Sequence, residues 1–512
     1  MMKFFASILL LFSMQDLKAT AYYVSNGGND ENNGTSPTAS WRTLEKVQAA
    51  ANKGLLIAGD SILFKRGDVF TGTLKWATIW GQNCATGTPS KPITFTTYGV
   101  GNKPVFQYPK GGTTIPENRI TLLFSGVDYI IIDGFNFTEL QDTGNDKITP
   151  ANCGVPIYLG TMDEATTNHC TIRNVDISYC GMGIVIVGNY NKVTHCRMTD
   201  FKNLKSTPNT GGASEYDDYG ANALTITGDD NEISYNYISG AWAGSADFGW
   251  NGGACEMFNH CNRNVISHNT IYDCGGVAEF GGQRKDAFSE DNLFAYNKII
   301  NCGSLTWCNI SGVFSIRVSN VQYFNNTIIE NNTSRFSGPN TGKGITDPGL
   351  LSLIKPEESL FAFNGSPDAT TVFNLRNNVF HLSTGIAVVK NGTDLSKISH
   401  ENNMYYLKGG SAVNFKLATS ETSSEVPLFK DTVSANPLEW NLLLHKEASI
   451  KNIGAEANPI GPVINMAAGI IVCDWLSKYI LHFGTGANIA DPDFSVSNIR
   501  RLVSYLVSWI FD

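Results

Sequence analysis

The sequence predicts an all-β fold, a parallel β-solenoid whose short strands stack coil upon coil. Three observations predict it. The first is a repeat: a turn asparagine followed by a β-branched or apolar pair recurs at Asn174, Asn236, Asn269, Asn297, Asn326, Asn378 and Asn403, and Cys196 takes that place in its own unit. Spacings are mostly 22 to 40 residues, the range of stacked repeat architectures. The second is the size of each unit. It holds two or three short apolar runs, too few to bury their own side chains, so units must stack to form a core. The third is composition. Glycine is abundant, at 50 residues of 512, and only 16% of residues are charged, which suits strands and turns rather than coiled coil or disorder.

Taken in order, the chain opens with a signal peptide, residues 1–21. Lys3 precedes the apolar run Phe4–Phe12, and Ala19-Thr20-Ala21 is a small-x-small cleavage pattern. This places the mature protein outside the cytoplasm, starting at Tyr22. Tyr22–Ser25 reads as a strand. Asn26–Pro37 is a turn-rich loop whose Asp and Asn side chains serve turn chemistry or, alternatively, a cation. A helix follows over about 41–53, with Leu44, Val47 and Ala51 on one face. Asp60–Lys65 and Phe70–Leu74 are strand-like, and the repeat takes over from about Ile120. Asparagines recurring at one turn would form a ladder that satisfies their amides mutually.

There are eleven cysteines. Cys180, Cys274 and Cys302 each precede glycine after a strand-like run, which predicts a column of buried thiols acting as small hydrophobes; a disulfide between two rungs is the alternative. No Cys/His spacing suits zinc. The net charge of −9 argues against nucleic acid as a partner, since phosphate binding needs a basic surface. Residues 460–512 depart from the repeat. Their apolar run Ile464–Phe483 is broken by Asp474 and Lys478, which argues against a membrane span, and Ile499–Ile510 is amphipathic. The tail reads as a helical cover for the C-terminal end or as aberrant sequence.

The opening YYVSNGGNDENNGTSP…WRTLEKV, the segment GDSILFKRGDVF, YGVGNKPVF and the repeating N-x-I-S-x-N-x-I units resemble the secreted right-handed parallel β-helix proteins of the pectate-lyase-like superfamily. The resemblance covers about residues 22–459. It implies a right-handed parallel β-helix with an N-terminal capping helix. It also implies action on, or binding of, a polysaccharide, because the superfamily includes lyases, hydrolases, esterases, epimerases and adhesins.

The candidate site rests on a phrase that occurs twice: Gly253-Ala-Cys-Glu256-Met-Phe258 and Gly276-Val-Ala-Glu279-Phe-Gly281. Strand alternation turns Met257 and Phe280 inward and both glutamates outward. Aligning the opening glycines Gly220, Gly253, Gly276 and Gly312 gives an exposed column Ala223, Glu256, Glu279, Ser315, and beside it a column Thr225, Phe258, Gly281, Arg317. Stacked like charges cost a few tenths to about 1 kcal/mol, so an adjacent pair of carboxylates points to function. The insertions Lys202–Tyr219, Ala241–Gly252 and Gln283–Asp291 would wall a groove if they leave the coil on one side. They supply Tyr216, Tyr219, Asp247, Trp250, Arg284 and Lys285, and with Phe258 these are the candidate sugar-binding residues.

Three functions are compatible with that column. A glycoside hydrolase would use Glu256 and Glu279 as its carboxyl pair, or one of them with Asp218 across the groove, and would need no cofactor. A polysaccharide lyase would hold Ca²⁺ on Glu256, Glu279 and Asp217 and use Arg317, Arg284 or Lys285 as base or carboxylate neutraliser. A non-catalytic glycan-binding β-helix would use the same groove without turnover. The hydrolase is ranked first, acting as a monomer on a polysaccharide or oligosaccharide.

Overall fold

The computed structural model describes residues 18–107, 120–138, 154–162, 165–205, 218–245, 249–332, 358–430 and 432. All belong to the first of the chain's two compact units, Met1–Pro462; the expected signal peptide, apart from its last residues, and the 460–512 tail lie outside the described residues.

Three long sheets, of twelve, ten and twelve strands, carry the fold. The chain visits them in rotation. A typical coil runs from Met182–Val187 in the ten-stranded sheet, through Lys192–Thr194 in one twelve-stranded sheet, to Arg197–Thr199 in the other. Pairing within each sheet joins one coil to the next and is parallel throughout. The result is a parallel β-helix. Its coils begin earlier than the repeat suggests, since Ala21–Val24 already pairs with Ser61–Lys65 and that strand with Ile93–Tyr98. These early coils lack the asparagine signature, and their interior is aromatic: Phe64, Phe70, Phe95, Phe106, Phe135 and Phe137 are all buried, several in edge-to-face contact.

The asparagines form the expected ladder. Asn236, Asn269, Asn297, Asn326, Asn378 and Asn403 each accept, at Oδ1, the backbone N–H one coil below, from Cys196 through to Asn378. Each side-chain amide also donates to a backbone carbonyl of the preceding coil, as Asn269 does to Ile233. Glu421 Oε1 ends the row by accepting from Asn403 Nδ2 at 2.8 Å. A second ladder, not foreseen, joins Asn191, Asn231, Asn264 and Asn292 at the turn leaving the ten-stranded sheet. Asn174 is not a rung. It occupies the preceding position, where the backbone is left-handed (φ 52°), as at His195, Tyr235 and His268; asparagine is tolerated there for its backbone freedom.

The helix spans Leu44–Asn52 and is capped by Thr43, whose Oγ1 accepts from Lys46 N. Leu44, Val47 and Ala51 are buried as expected. Trp41, expected as the first helical residue, precedes it instead, bridging Val24 and stacking on Tyr22 at 4.9 Å. In the preceding loop Asp30 is taken up by Arg42 N, Thr43 N and Thr43 Oγ1, the turn chemistry anticipated as one alternative. Phe70–Leu74 proves to be two strands, Val69–Thr71 and Leu74–Ala77, separated at Gly72. The nine described cysteines are buried thiols, with no disulfide among them. Cys180, Cys274 and Cys302 follow equivalent coil positions, with Phe201 and Ala241 between the first two.

Ladder asparagines cannot be replaced cheaply, because each leaves a buried N–H and a buried carbonyl without partners. Asn269→Ala is expected to lower the free energy of unfolding by about 2–5 kcal/mol. Chemical denaturation followed by circular dichroism checks this, and an unchanged midpoint would remove the ladder from the account of stability.

Candidate active site

The two glutamates face each other across adjacent rungs of the ten-stranded sheet. Cys255–Phe258 pairs in parallel with Gly276–Gly281, and Glu256 stands opposite Glu279. Cys255, Met257, Ala278 and Phe280 are buried, and this alternation pushes both carboxyls outward. Glu256 is half-buried and Glu279 is exposed.

Their neighbours differ from the glycine-based alignment. Thr225, not Ala223, stands opposite Glu256, and Ala223 is fully buried. Trp307, not Ser315, stands opposite Glu279. The strand in that coil is Ser304–Cys308, and the Gly312 segment is the loop after it. The slip came from two glycine-led apolar runs, only one of which is a strand. The column therefore reads Thr225, Glu256, Glu279, Trp307, Ala362. Past the small Ala362, Lys390 lays its Nζ 4.8 Å from the Trp307 ring centroid. Phe258 does stand opposite Gly281, but Arg317 lies outside that column. It belongs to Arg317–Ser319, which pairs with Phe288–Glu290 in a separate two-stranded sheet, and its guanidinium sits over Phe288 at 5.7 Å.

Polar contacts set the two carboxyls apart. Asn222 Nδ2 donates to Glu256 Oε2 at 2.7 Å, and Thr225 Oγ1 donates to the same oxygen at 3.3 Å. Both bonds fall on Oε2, which leaves Oε1 to carry a proton. Asn309 Nδ2 donates to Glu279 Oε1 at 2.9 Å. The orientation of that amide is fixed, because Trp307 Nε1 donates to Asn309 Oδ1 at 2.8 Å. Burial, reinforced by the neighbouring Glu279 charge, pushes the Glu256 carboxyl up to about 7. Glu279, open to solvent at its edge, is also raised, because the protein around its carboxyl partly desolvates it, and the Asn309 bond opposes the rise.

The insertions flank this face on two sides, not one. Those after Phe201 and Ala241 come before strands of the ten-stranded sheet, whereas Gln283–Asp291 and Asn309–Ile316 come after them. Asn203–Lys205 pairs with Tyr219–Gly220 and Ala243–Ser245 with Gly249–Asn251, both antiparallel. The two ribbons are joined by Asn203 Nδ2 to Gly244 O and by Ser245 Oγ to Asp218 Oδ2 at 2.7 Å. Asp218 is thus buried as a link between insertions. Trp250 packs on Gly275, where a Cβ would stand 2.4 Å from the indole, so this turn demands glycine. Tyr219 is exposed. On the other side Asn259 Oδ1 accepts from Gln283 N and Arg284 N, Arg284 Nε meets Asp286 at 3.4 Å, and Lys285 is exposed. Tyr216, Asp217 and Asp247 lie outside the described residues. Among the described residues no three His, Cys, Asp or Glu side chains gather to hold a metal. Asn222, Trp307, Asn309 and Lys390 were missed by the sequence reading; strand alternation in Ser304–Cys308 could have found Trp307.

No protein-family model and no curated protein sequence matches the chain. Among solved structures it is similar to pectate lyase Pel9A, at 16% identity over 86% of this chain and 96% of that one, with a TM-score of 0.51. It is similar also to the GH136 lacto-N-biosidase from Eubacterium ramulus, at 13% identity over 77% and 68% of the two chains, with a TM-score of 0.44. A rhamnogalacturonan lyase aligns at 13% identity over 75% and 87%, with a TM-score of 0.43. The parallel β-helix fold is shared with Pel9A.

A carboxyl raised from 4.5 to about 7 binds more protons in the folded than in the unfolded chain between those values. The wild type therefore loses stability as pH rises through that window. Glu256→Gln is expected to match the wild type near pH 4 and to exceed it by about 1–3 kcal/mol at pH 8. Denaturant titrations at both pH values read this, and no gain at pH 8 contradicts the raised carboxyl.

Proposed function

We propose that the chain is a secreted carbohydrate-active enzyme, a glycoside hydrolase that uses Glu256 as acid/base and Glu279 as nucleophile. The observation that carries the reading is the direct opposition of two carboxyls on adjacent strands with different surroundings. Neighbouring strands stand about 4.8 Å apart, close to the roughly 5–5.5 Å between the carboxyls of retaining glycosidases. Glu256, raised to about 7, keeps its proton on Oε1 in weak acid and can give it to a leaving oxygen. Glu279, aimed by Asn309, meets the anomeric carbon as carboxylate. Glu256 then takes a proton from water as the covalent intermediate is hydrolysed. Trp307 offers an aromatic edge to the sugar next to Glu279.

The polysaccharide lyase reading, with Ca²⁺ on Glu256, Glu279 and Asp217, finds less support. Asn222 and Asn309 turn N–H donors toward the carboxyls, while calcium is held by oxygens. Arg317 lies apart from the pair. The likeness to pectate lyase Pel9A fits action on a glycan. The Lys3–Ala21 segment supports export, and no helix among the described residues is long and apolar enough to cross a membrane. In the same reading Leu44–Asn52 caps a right-handed coil, guarding its first strands from edge pairing.

The test is digestion of neutral and uronate polysaccharides with and without chelator, reading reducing ends and absorbance of unsaturated product. Reducing ends alone, indifferent to chelator, are expected, and Glu256→Gln and Glu279→Gln should each lower kcat by about a hundredfold to ten-thousandfold. Activity should fall as pH rises through about 7, where Glu256 loses its proton. Unsaturated product that vanishes with chelator would replace this reading with the lyase.

A further inference from the structure

Beside the glutamates runs a second feature, a trough of about 330 Å³ along the edge where the ten-stranded sheet turns away. It crosses four successive coils, from Thr161 and Met162 through Val187–Asn189 and Thr227–Asp229 to Asn259 and His260. With coils about 4.8 Å apart it extends roughly 14 Å, the reach of an oligosaccharide rather than one sugar. It adjoins the candidate site along one strand. Thr225, which bonds Glu256, and Thr227, which lines the trough, are two residues apart on one strand, hence on one face and about 7 Å apart. Its floor is low because Gly188 and Gly228 form it. A Cβ on either would stand about 2 Å from the backbone of the coil beneath, so no side chain can rise there.

The lining chemistry is that of a sugar site: threonine hydroxyls, asparagine amides and the apolar edges of Met162 and Val187. The charges at its rim are already paired. Asp229 binds Arg263 at 3.2 Å and accepts from Asn262. Asp286 meets both Arg284, at 3.4 Å, and His260, at 3.5 Å.

We infer that this trough is a distal subsite for the substrate of the proposed hydrolase, holding a run of neutral, hydroxyl-rich sugar units extending from the glutamates toward Thr161. The inference rests on the proposed function for the direction of the chain and goes beyond it in assigning the site and the sugar class. The substrate then lies across the coils, parallel to the solenoid axis, and cleavage favours chains long enough to fill the trough.

The test measures binding apart from turnover. The Glu256→Gln/Glu279→Gln double variant is titrated calorimetrically with neutral oligosaccharides of increasing length, drawn from whichever neutral glycans the wild type cleaves or, failing cleavage, retained by the protein in affinity electrophoresis. Thr166→Trp, at an exposed rim position, fills the trough. It is expected to weaken binding of long oligosaccharides by about tenfold and to leave disaccharides unchanged. Arg284→Ala, also exposed, opens the wall as a second variant and should change neutral and uronate ligands alike. Affinity independent of length, or Thr166→Trp without effect on long ligands, overturns the subsite. So does binding of uronate chains alone, abolished by Arg284→Ala. Length-dependent binding that Thr166→Trp removes, in a protein that cleaves none of the panel, keeps the subsite and discards the hydrolase.

Discussion

Register between coils is the constraint on which the rest depends. A parallel ladder does not by itself choose which residues stand opposite, and a slip of one residue would turn every outward side chain inward. Here the buried asparagines choose. Each amide accepts from and donates to the backbone of the preceding coil and donates also to the asparagine of the next, so a slipped coil would strand several buried polar groups at once. The opposition of Glu256 and Glu279 follows from a turn on the far side of the coil, at Asn236, Asn269 and Asn297.

Within that fixed register, the chemistry comes from small asymmetries. The two glutamates share a sheet, a face and flanking core residues, yet one receives two donors on a single oxygen and the other a single amide held by an indole. Their mutual repulsion would be a simple cost on a featureless surface. Set between Thr225 and Trp307, it helps to hold the Glu256 carboxyl above the usual carboxylate range. The same face carries neutral polar groups on one side of the pair and an aromatic–cation pair on the other, so its two directions are chemically unlike.

Much of this was legible in the sequence, for physical reasons that also mark where legibility ended. Alternation around Glu256 and Glu279 is strict because both strands are fully backed by core, and the pairing could be read from it. Asn236 to Asn403 announced the ladder since only a repeated buried amide would recur so regularly. The early coils showed single strands but no repeat, since their phenylalanine-filled interior comes with no asparagine at a fixed turn. Ser315 and Arg317 were misplaced because Val313 and Phe314 imitate a strand in a loop, and periodicity cannot tell an apolar loop from an apolar rung. Asn222 and Asn309 carry no sequence signal at all. Asn222 opens the strand that carries Thr225 and Asn309 follows the strand that carries Trp307, and each reaches its glutamate from the neighbouring coil, a pairing only the folded chain defines.

The buried cysteines carry one more consequence. Burial pushes the thiols of Cys170, Cys196, Cys255 and Cys261 up to about 12, and the thiolate is the species that reacts with oxidants and alkylating reagents. Folded coils are therefore chemically quiet toward such reagents, and a coil that opens becomes reactive. Because the thiols are spread from Cys84 to Cys308, the solenoid carries its own set of position-coded reporters, each able to record when its stretch of the helix comes undone.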